Sequence, residues 1–189
     1  MTVSDQQRPR AALAALLITA VAGLALFATV ASARADEPAV PDKIQVEAGY
    51  KPFLLAHAVG VQIYACTAAP DGPKWRLVAP RADLYGDNGV LIATHFGGPT
   101  WQARDGSLVK AQRVDGVTVD PTAIQWLLLK ATTAAAGPDG DRLAGTKFIQ
   151  RLATTGGLEP AGAECDAVSV GAVREIPYTA DYRFWKEQS

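Results

Sequence analysis

The sequence has no surplus of either charge and no run of like charges, with Lys+Arg 18 against Asp+Glu 19 and a formal net charge of −1. A protein that holds nucleic acid through its phosphates needs a basic face, so nucleic acid is excluded as a partner. Histidine and cysteine are scarce, two of each, and no close-spaced pair of ligating residues occurs, so no metal and no cofactor are expected. No Gly-x-Gly-x-x-Gly turn follows a strand, which argues against a dinucleotide site, and no Gly-x-Ser-x-Gly elbow is present for a serine hydrolase. Gly140 to Lys147 has the glycine spacing of a phosphate-binding loop. It ends Thr146-Lys147, in the wrong order, and contains Asp141 with Asp139 just before it, whose charge repels phosphate, so it reads as a loop between strands. Internal repeats and low-complexity tracts are absent as well.

Apolar residues make up 49% of the chain and charged residues 20%, the balance of one globular domain. The long apolar run lies at the N-terminus. Arg8 and Arg10 precede it, residues 11–30 form it, and Ala31-Ser32-Ala33 and Ala33-Arg34-Ala35 offer overlapping small-x-small cleavage sites. Residues 1–35 are therefore read as a secretory signal peptide; a retained membrane anchor is the alternative, since twenty apolar residues can span a bilayer. Cleavage after Ala35 leaves Lys+Arg 15 against Asp+Glu 18, a mildly acidic protein expected in the periplasm or outside the cell, with no membrane association once the signal is removed. Both cysteines, Cys66 and Cys165, fall in this mature part. An oxidising compartment makes a disulfide between them the expectation, and the loop it closes corresponds to about 4–5 kcal/mol in the chain-entropy model.

Residues 36–42, with Pro38 and Pro41, read as a polar leader hanging outside a domain that runs from 43 to 189. Within the domain the punctuation is that of hairpins. From Val61 to Cys66 the residues alternate, with Val61, Ile63 and Ala65 on one face and Gln62, Tyr64 and Cys66 on the other. Asn88-Gly89 predicts a two-residue hairpin of type I′, pairing Tyr85 with Ile92, Leu84 with Ala93 and Ala82 with His95, so that His95 shares a face with Leu84 and Ala93. Asp105-Gly106 repeats the device and pairs Trp101 with Lys110, whose ammonium would lie over the indole. Ile124 to Lys130 fits a helix opened by Asp120-Pro121 or a buried strand, and the strand is preferred because its neighbours are strand-like. Another strand covers Lys147 to Ala153, closed by Thr155-Gly156-Gly157. Ile176, Tyr178, Ala180, Tyr182 and Phe184 then alternate with polar residues in a last half-buried strand. About seven or eight short strands predict an all-β, single-domain antiparallel barrel or sandwich with at most a short helix.

His57, Gly60-Val61-Gln62-Ile63-Tyr64-x-Cys66, Trp75, His95-x-Gly97-Gly98-Pro99-Thr100-Trp101, Asp105-Gly106-Ser107, Gln150-Arg151, Thr155-Gly156-Gly157, Cys165-Asp166 and Pro177-Tyr178-x-Ala180-x-Tyr182 occur in an order that resembles a family of exported bacterial and fungal domains classed as a domain of unknown function. The resemblance covers about Val40 to Trp185. It implies no activity.

Function is then read from the residues. His57 and His95 are the two histidines, and with Gln62, Tyr64 and Trp101 they are candidates for one polar pocket at an end of the barrel, where Gly97-Gly98 would let a small-molecule or carbohydrate ligand approach the backbone. The plain alternative is two hydrogen-bonded structural histidines. A copper or zinc site on both imidazoles with Asp83, Asp166 or Tyr64 is a third arrangement. Trp75, Trp101, Trp126, Tyr178 and Tyr182 could form a carbohydrate platform, although aromatics at strand spacing are more often core. Glu159, Glu164 and Asp166 fall in a Gly/Pro-rich loop that suits solvent better than paired-carboxylate catalysis. The expectation is an exported, disulfide-linked binding or structural module, and the alternative a secreted hydrolase or metal-dependent enzyme centred on His57 and His95. The two differ in whether the imidazoles converge on one open cavity.

Overall fold

The computed structural model describes residues 39–188. The expected signal segment 1–35 and the leader residues 36–38 lie outside the described residues. Eight strands follow in chain order: β1 (Tyr50–Thr67), β2 (Lys74–Tyr85), β3 (Leu91–Phe96), β4 (Thr100–Ala103), β5 (Leu108–Val117), β6 (Trp126–Ala135), β7 (Phe148–Gly156) and β8 (Val173–Glu187). Each pairs antiparallel with the next, and β8 pairs with β1, so the sheet closes into a barrel and leaves no open edge. Single 3₁₀ turns at Asp42–Ile44 and Gly162–Glu164 are the helical elements among the described residues.

Both Gly-containing hairpins form with one more loop residue than the sequence suggested. In the first, the Gly89 N–H bonds the Gly86 carbonyl and the Gly86 N–H bonds the Val90 carbonyl. Gly89 has φ +72° while Asn88 stays out of the left-handed region, which is a type I turn closed by a glycine bulge rather than a type I′ turn. Tyr85 consequently pairs with Leu91, not Ile92. A bulge between Leu84 and Tyr85 then restores the expected Leu84–Ala93 and Ala82–His95 pairs. Nothing restores the register at the second hairpin, where Gly106 has φ +80° and Trp101 pairs with Val109, leaving Lys110 opposite Thr100. A slip of one residue turns a side chain to the other face. Trp101 is 1% exposed, and the expected Lys110–Trp101 contact does not form.

The interior is lined by the inward alternates of every strand: Ala56 and Ala58, Ala82 and Leu84, Ala93 and His95, Trp101 and Ala103, Val109 and Ala111, Leu129, Ile149, and Tyr178, Ala180, Tyr182 and Phe184, all buried. Alanine on many strands leaves the volume that the few large rings occupy. Over β6 and β7 a second apolar layer lies on the outer face. Trp126, Leu128, Phe148 and Leu152 pack there beneath Ile44, itself fully buried, with Val40 and Val46 beside it. The outward Gln150 amide donates to the Ile44 carbonyl at 2.7 Å and accepts from Trp185 Nε1 at 2.9 Å. The leader therefore does not hang free from Val40 onward; it seals the outside of β6–β7. Burial on both faces explains why Trp126 to Leu129 is an unbroken apolar run. The strand reading holds from Trp126, and residues 121–123 are a turn rather than the start of a helix.

Cys66 and Cys165 form the expected disulfide with Cα atoms 5.5 Å apart, tying β1 to the loop before β8. It is buried with Tyr64 and Trp75.

Candidate functional site

Alternation along β1 sorts the expected site residues. Gln62, Tyr64 and Cys66 are the inward set, 2%, 7% and 1% exposed, so the polar face of this strand is the one that points into the barrel. His57 lies between the inward Ala56 and Ala58 and so points out. Its cross-strand neighbours are Tyr85 and Asp181. His57 Nδ1 is 2.6 Å from Asp181 Oδ1, and Nε2 is 2.9 Å from Asp87 Oδ1 in the β2–β3 turn. Carboxylates only accept, so both ring nitrogens donate and the imidazolium is the favoured form. Hydrogen bonding to Asp87 first, then to Asp181, raises the His57 pKa above the usual histidine value against a smaller opposing effect of burial.

His95 has the opposite surroundings. The β3–β4 hairpin turns through Gly97, Gly98 and Pro99, with Gly98 at φ +76° and the Thr100 hydroxyl 3.1 Å from the Gly97 carbonyl. This sets His95 directly across from Trp101 on the inner face. Their rings stack at 4.1 Å and 7°, and the Tyr182 ring meets the imidazole edge-on at 5.2 Å. The two glycines thus serve the hairpin that creates this stack. His95 Nδ1 lies 2.9 Å from the Thr100 carbonyl, which can only accept, so Nδ1 carries the hydrogen and Nε2 is left as an acceptor. Desolvation outweighs that hydrogen bond and lowers the His95 pKa to about 3, so the ring is neutral at physiological pH.

His95, Trp101, Gln62 and Tyr182 line one side of a cavity of about 240 Å³, completed by Leu77, Pro80, Pro99, Leu127, Leu129, Arg113 and Arg151. Leu77, Pro99 and Arg113 are solvent-exposed, so the cavity opens past them. Arg151 enters as an inward alternate of β7, between Ile149 and Ala153. Its Nε and Nη2 both donate to the Gln125 carbonyl, at 3.0 and 2.8 Å, and Arg113 Nη2 donates to Gln125 Oε1 at 2.8 Å. Gln125 holds both guanidiniums at one rim. A Cβ on Gly116 would stand 2.6 Å from Arg113 Nη2 and 2.7 Å from Leu127 Cδ2, so the glycine is what lets Arg113 lie across this strand. Two buried donors, Gln62 Nε2 and Trp101 Nε1, have no partner. Burial raises the Tyr182 hydroxyl pKa, with the Arg151 charge and the Tyr178 hydroxyl pulling the other way.

Of the five expected residues, then, the structure gathers Gln62, His95 and Trp101. Tyr64 is inward too, but its hydroxyl donates 2.8 Å to the Gly157 carbonyl beside the disulfide, outside the cavity lining. His57 is on the opposite face, so the imidazoles do not converge, and neither the two-histidine metal arrangement nor the enzyme centred on both has its geometry. Among the described residues no group of three or more His, Cys, Asp or Glu is placed to hold a metal ion. Trp75, Trp101, Trp126, Tyr178 and Tyr182 are all buried, with Trp126 in the outer layer, so they form core rather than a platform. Asp166 accepts from Ser169 and the Val168 N–H in a local turn.

The model of a family described as "Protein of unknown function (DUF3455)" matches residues 47–186. No curated protein and no solved structure matches the chain.

Proposed function

We propose, for a chain that belongs to the family described as Protein of unknown function (DUF3455), that it is an exported binding module holding one small molecule inside its barrel. One observation carries the reading. Gln62 Nε2 and Trp101 Nε1, both on residues at least 98% buried, lack partners beside a cavity whose lining contains no carboxylate. An unpaired buried donor costs about 1–3 kcal/mol, a cost that a bound acceptor would relieve. Eight strands suit this use, because they enclose a space just wide enough for side chains or one small ligand. A purely structural domain would gain from filling the space with apolar side chains instead.

Export is supported by Arg8, Arg10 and the apolar run before the small residues 31–35, and a buried disulfide suits an oxidising compartment. No helix among the described residues is long and apolar enough to cross a membrane.

Native mass spectrometry of protein released from the exporting cell tests both parts. The expected mass is that of a disulfide-bonded chain beginning at Arg34 or Asp36 with one small molecule retained, and Gln62→Leu should weaken retention. An intact Met1 in a membrane fraction would contradict export. A bare chain in every preparation would contradict the binding role.

A further inference from the structure

Charge and donor count at the cavity say more than that something binds there. We propose that the barrel takes up a monocarboxylate with an apolar body, its carboxylate read by Arg113 and Arg151 and its body laid against Leu77, Leu127 and Leu129. This rests on the binding reading above and specifies its ligand class.

The lining holds two guanidiniums and no acid, and its one histidine is neutral, so the cavity is cationic. Gln125 takes two N–H groups of Arg151 and one of Arg113, and Arg151 also contacts the Tyr182 hydroxyl, so each guanidinium keeps N–H groups that an anion in the cavity can take. Gln62 and Trp101, whose side-chain Nε2 and Nε1 donors have no partner, line the same cavity. A donor-rich site is matched by a group that only accepts, and an ionised carboxylate has two oxygens with about four acceptor sites and no hydrogen to donate.

The rest of the lining decides against a bare inorganic anion. Leu77, Pro80, Pro99, Leu127 and Leu129 offer nothing to a second or third charged oxygen and give the cavity an apolar wall. The size fits a small acid. At the ~30 Å³ that one water occupies, 240 Å³ corresponds to roughly eight water-sized groups, the scale of a small aromatic or short aliphatic acid.

Isothermal titration of the full, disulfide-bonded mature protein at neutral pH tests this with phenylacetate, its uncharged counterpart phenylethanol, and inorganic phosphate. Phenylacetate should bind at least about tenfold tighter than phenylethanol, the scale of one charge-assisted hydrogen bond. Arg113→Gln, at an exposed side chain that leaves the core intact, should remove that preference while leaving phenylethanol unchanged, and Gly116→Val should remove it too by displacing the Arg113 guanidinium, with phenylethanol binding also weakened because a Cβ at 116 meets Leu127. Arg151→Gln should act in the same direction, with circular dichroism reporting whether it still folds. Equal binding of phenylethanol, or a carboxylate preference that survives Arg113→Gln and Gly116→Val, overturns the assignment of charge. Phosphate binding as tightly as phenylacetate overturns the apolar body. If none of the three binds while the exported protein still carries a retained molecule, the ligand class falls and the binding reading stands; if nothing is retained either, both fall.

Discussion

His57 and His95 are the same side chain on the two faces of one sheet, and their surroundings shift their pKa values in opposite directions. Outside, His57 is half-exposed between Asp87 and Asp181, and the carboxylates raise its pKa and favour the protonated ring. Inside, His95 is 4% exposed, stacked on Trp101 and tied to a carbonyl, and desolvation holds it neutral. Strand parity alone separates them. The lesson is that a histidine's role in a barrel follows from the face its strand position gives it, more than from the polar residues near it in sequence. Inward-facing polarity makes a cavity, whereas outward-facing polarity makes an ion pair that pins a turn.

The largest effect that would test this contrast comes from the inner stack. Trp101→Ala removes the ring that His95, Tyr182 and Phe184 all touch and should cost about 3–5 kcal/mol of stability, read as a shift in the urea midpoint. A cost below about 1 kcal/mol would mean the inner wall is not packed as described.

Next comes pH, where the two histidines act with opposite sign. The folded pKa of His95, about 3, lies below the unfolded 6.5, so its contribution is complete above pH 6.5 and is lost as pH falls toward 3. The full difference corresponds to roughly 5 kcal/mol. His95→Phe should flatten this acid arm of the stability profile. His57 has its folded pKa raised, so its contribution is complete below pH 6.5 and disappears as pH rises through the folded value.

The outer face is not uniformly soft, and a third variant sharpens that point. Ile44→Ala opens the layer over Trp126, Leu128 and Phe148 and should cost about 2–4 kcal/mol, although it lies only two residues after the segment that reads as a polar leader. Hydrogen exchange of β6 and β7 should speed up with it.

The smallest effect belongs to His57→Ala. Its ion pairs are partly exposed, so screening holds the loss below about 1 kcal/mol. The loss should be measurable in thermal midpoints below pH 6.5 and vanish at alkaline pH, with binding of any cavity ligand unchanged.

Much of this was legible from alternation. The β1 face carrying Gln62, Tyr64 and Cys66, the β8 face carrying Tyr178 to Phe184, and the Leu84–Ala93–His95 side all follow from period-two patterning, and the disulfide follows from cysteine number and compartment. What stayed hidden has physical causes. His57 lies an odd number of positions from Gln62, a parity that excludes it from the shared face, yet polar neighbours made it look like a partner. Lys110 was misplaced because Asp105-Gly106 fits either a two- or a three-residue loop, and the choice flips Trp101. Arg151 was passed over because β7 is buried on both faces, so no polar side marks which alternates point inward; a charge at an inward position between Ile149 and Ala153 is the signal that identifies it. Arg113 shares the parity of the inward Val109 and Ala111, but the bulge at Val114 follows it and ends the alternation that would have marked it.

The central claim, that the cavity belongs to the inner face and His57 has no part in it, is tested most directly by following both imidazole rings by nitrogen NMR while phenylacetate is titrated into the mature protein. The account predicts that the His95 resonances move with saturation while those of His57 stay fixed, with Nδ1 of His95 remaining protonated and the ring neutral throughout. Movement of His57 without His95 would contradict it, as would a His95 that is charged at neutral pH.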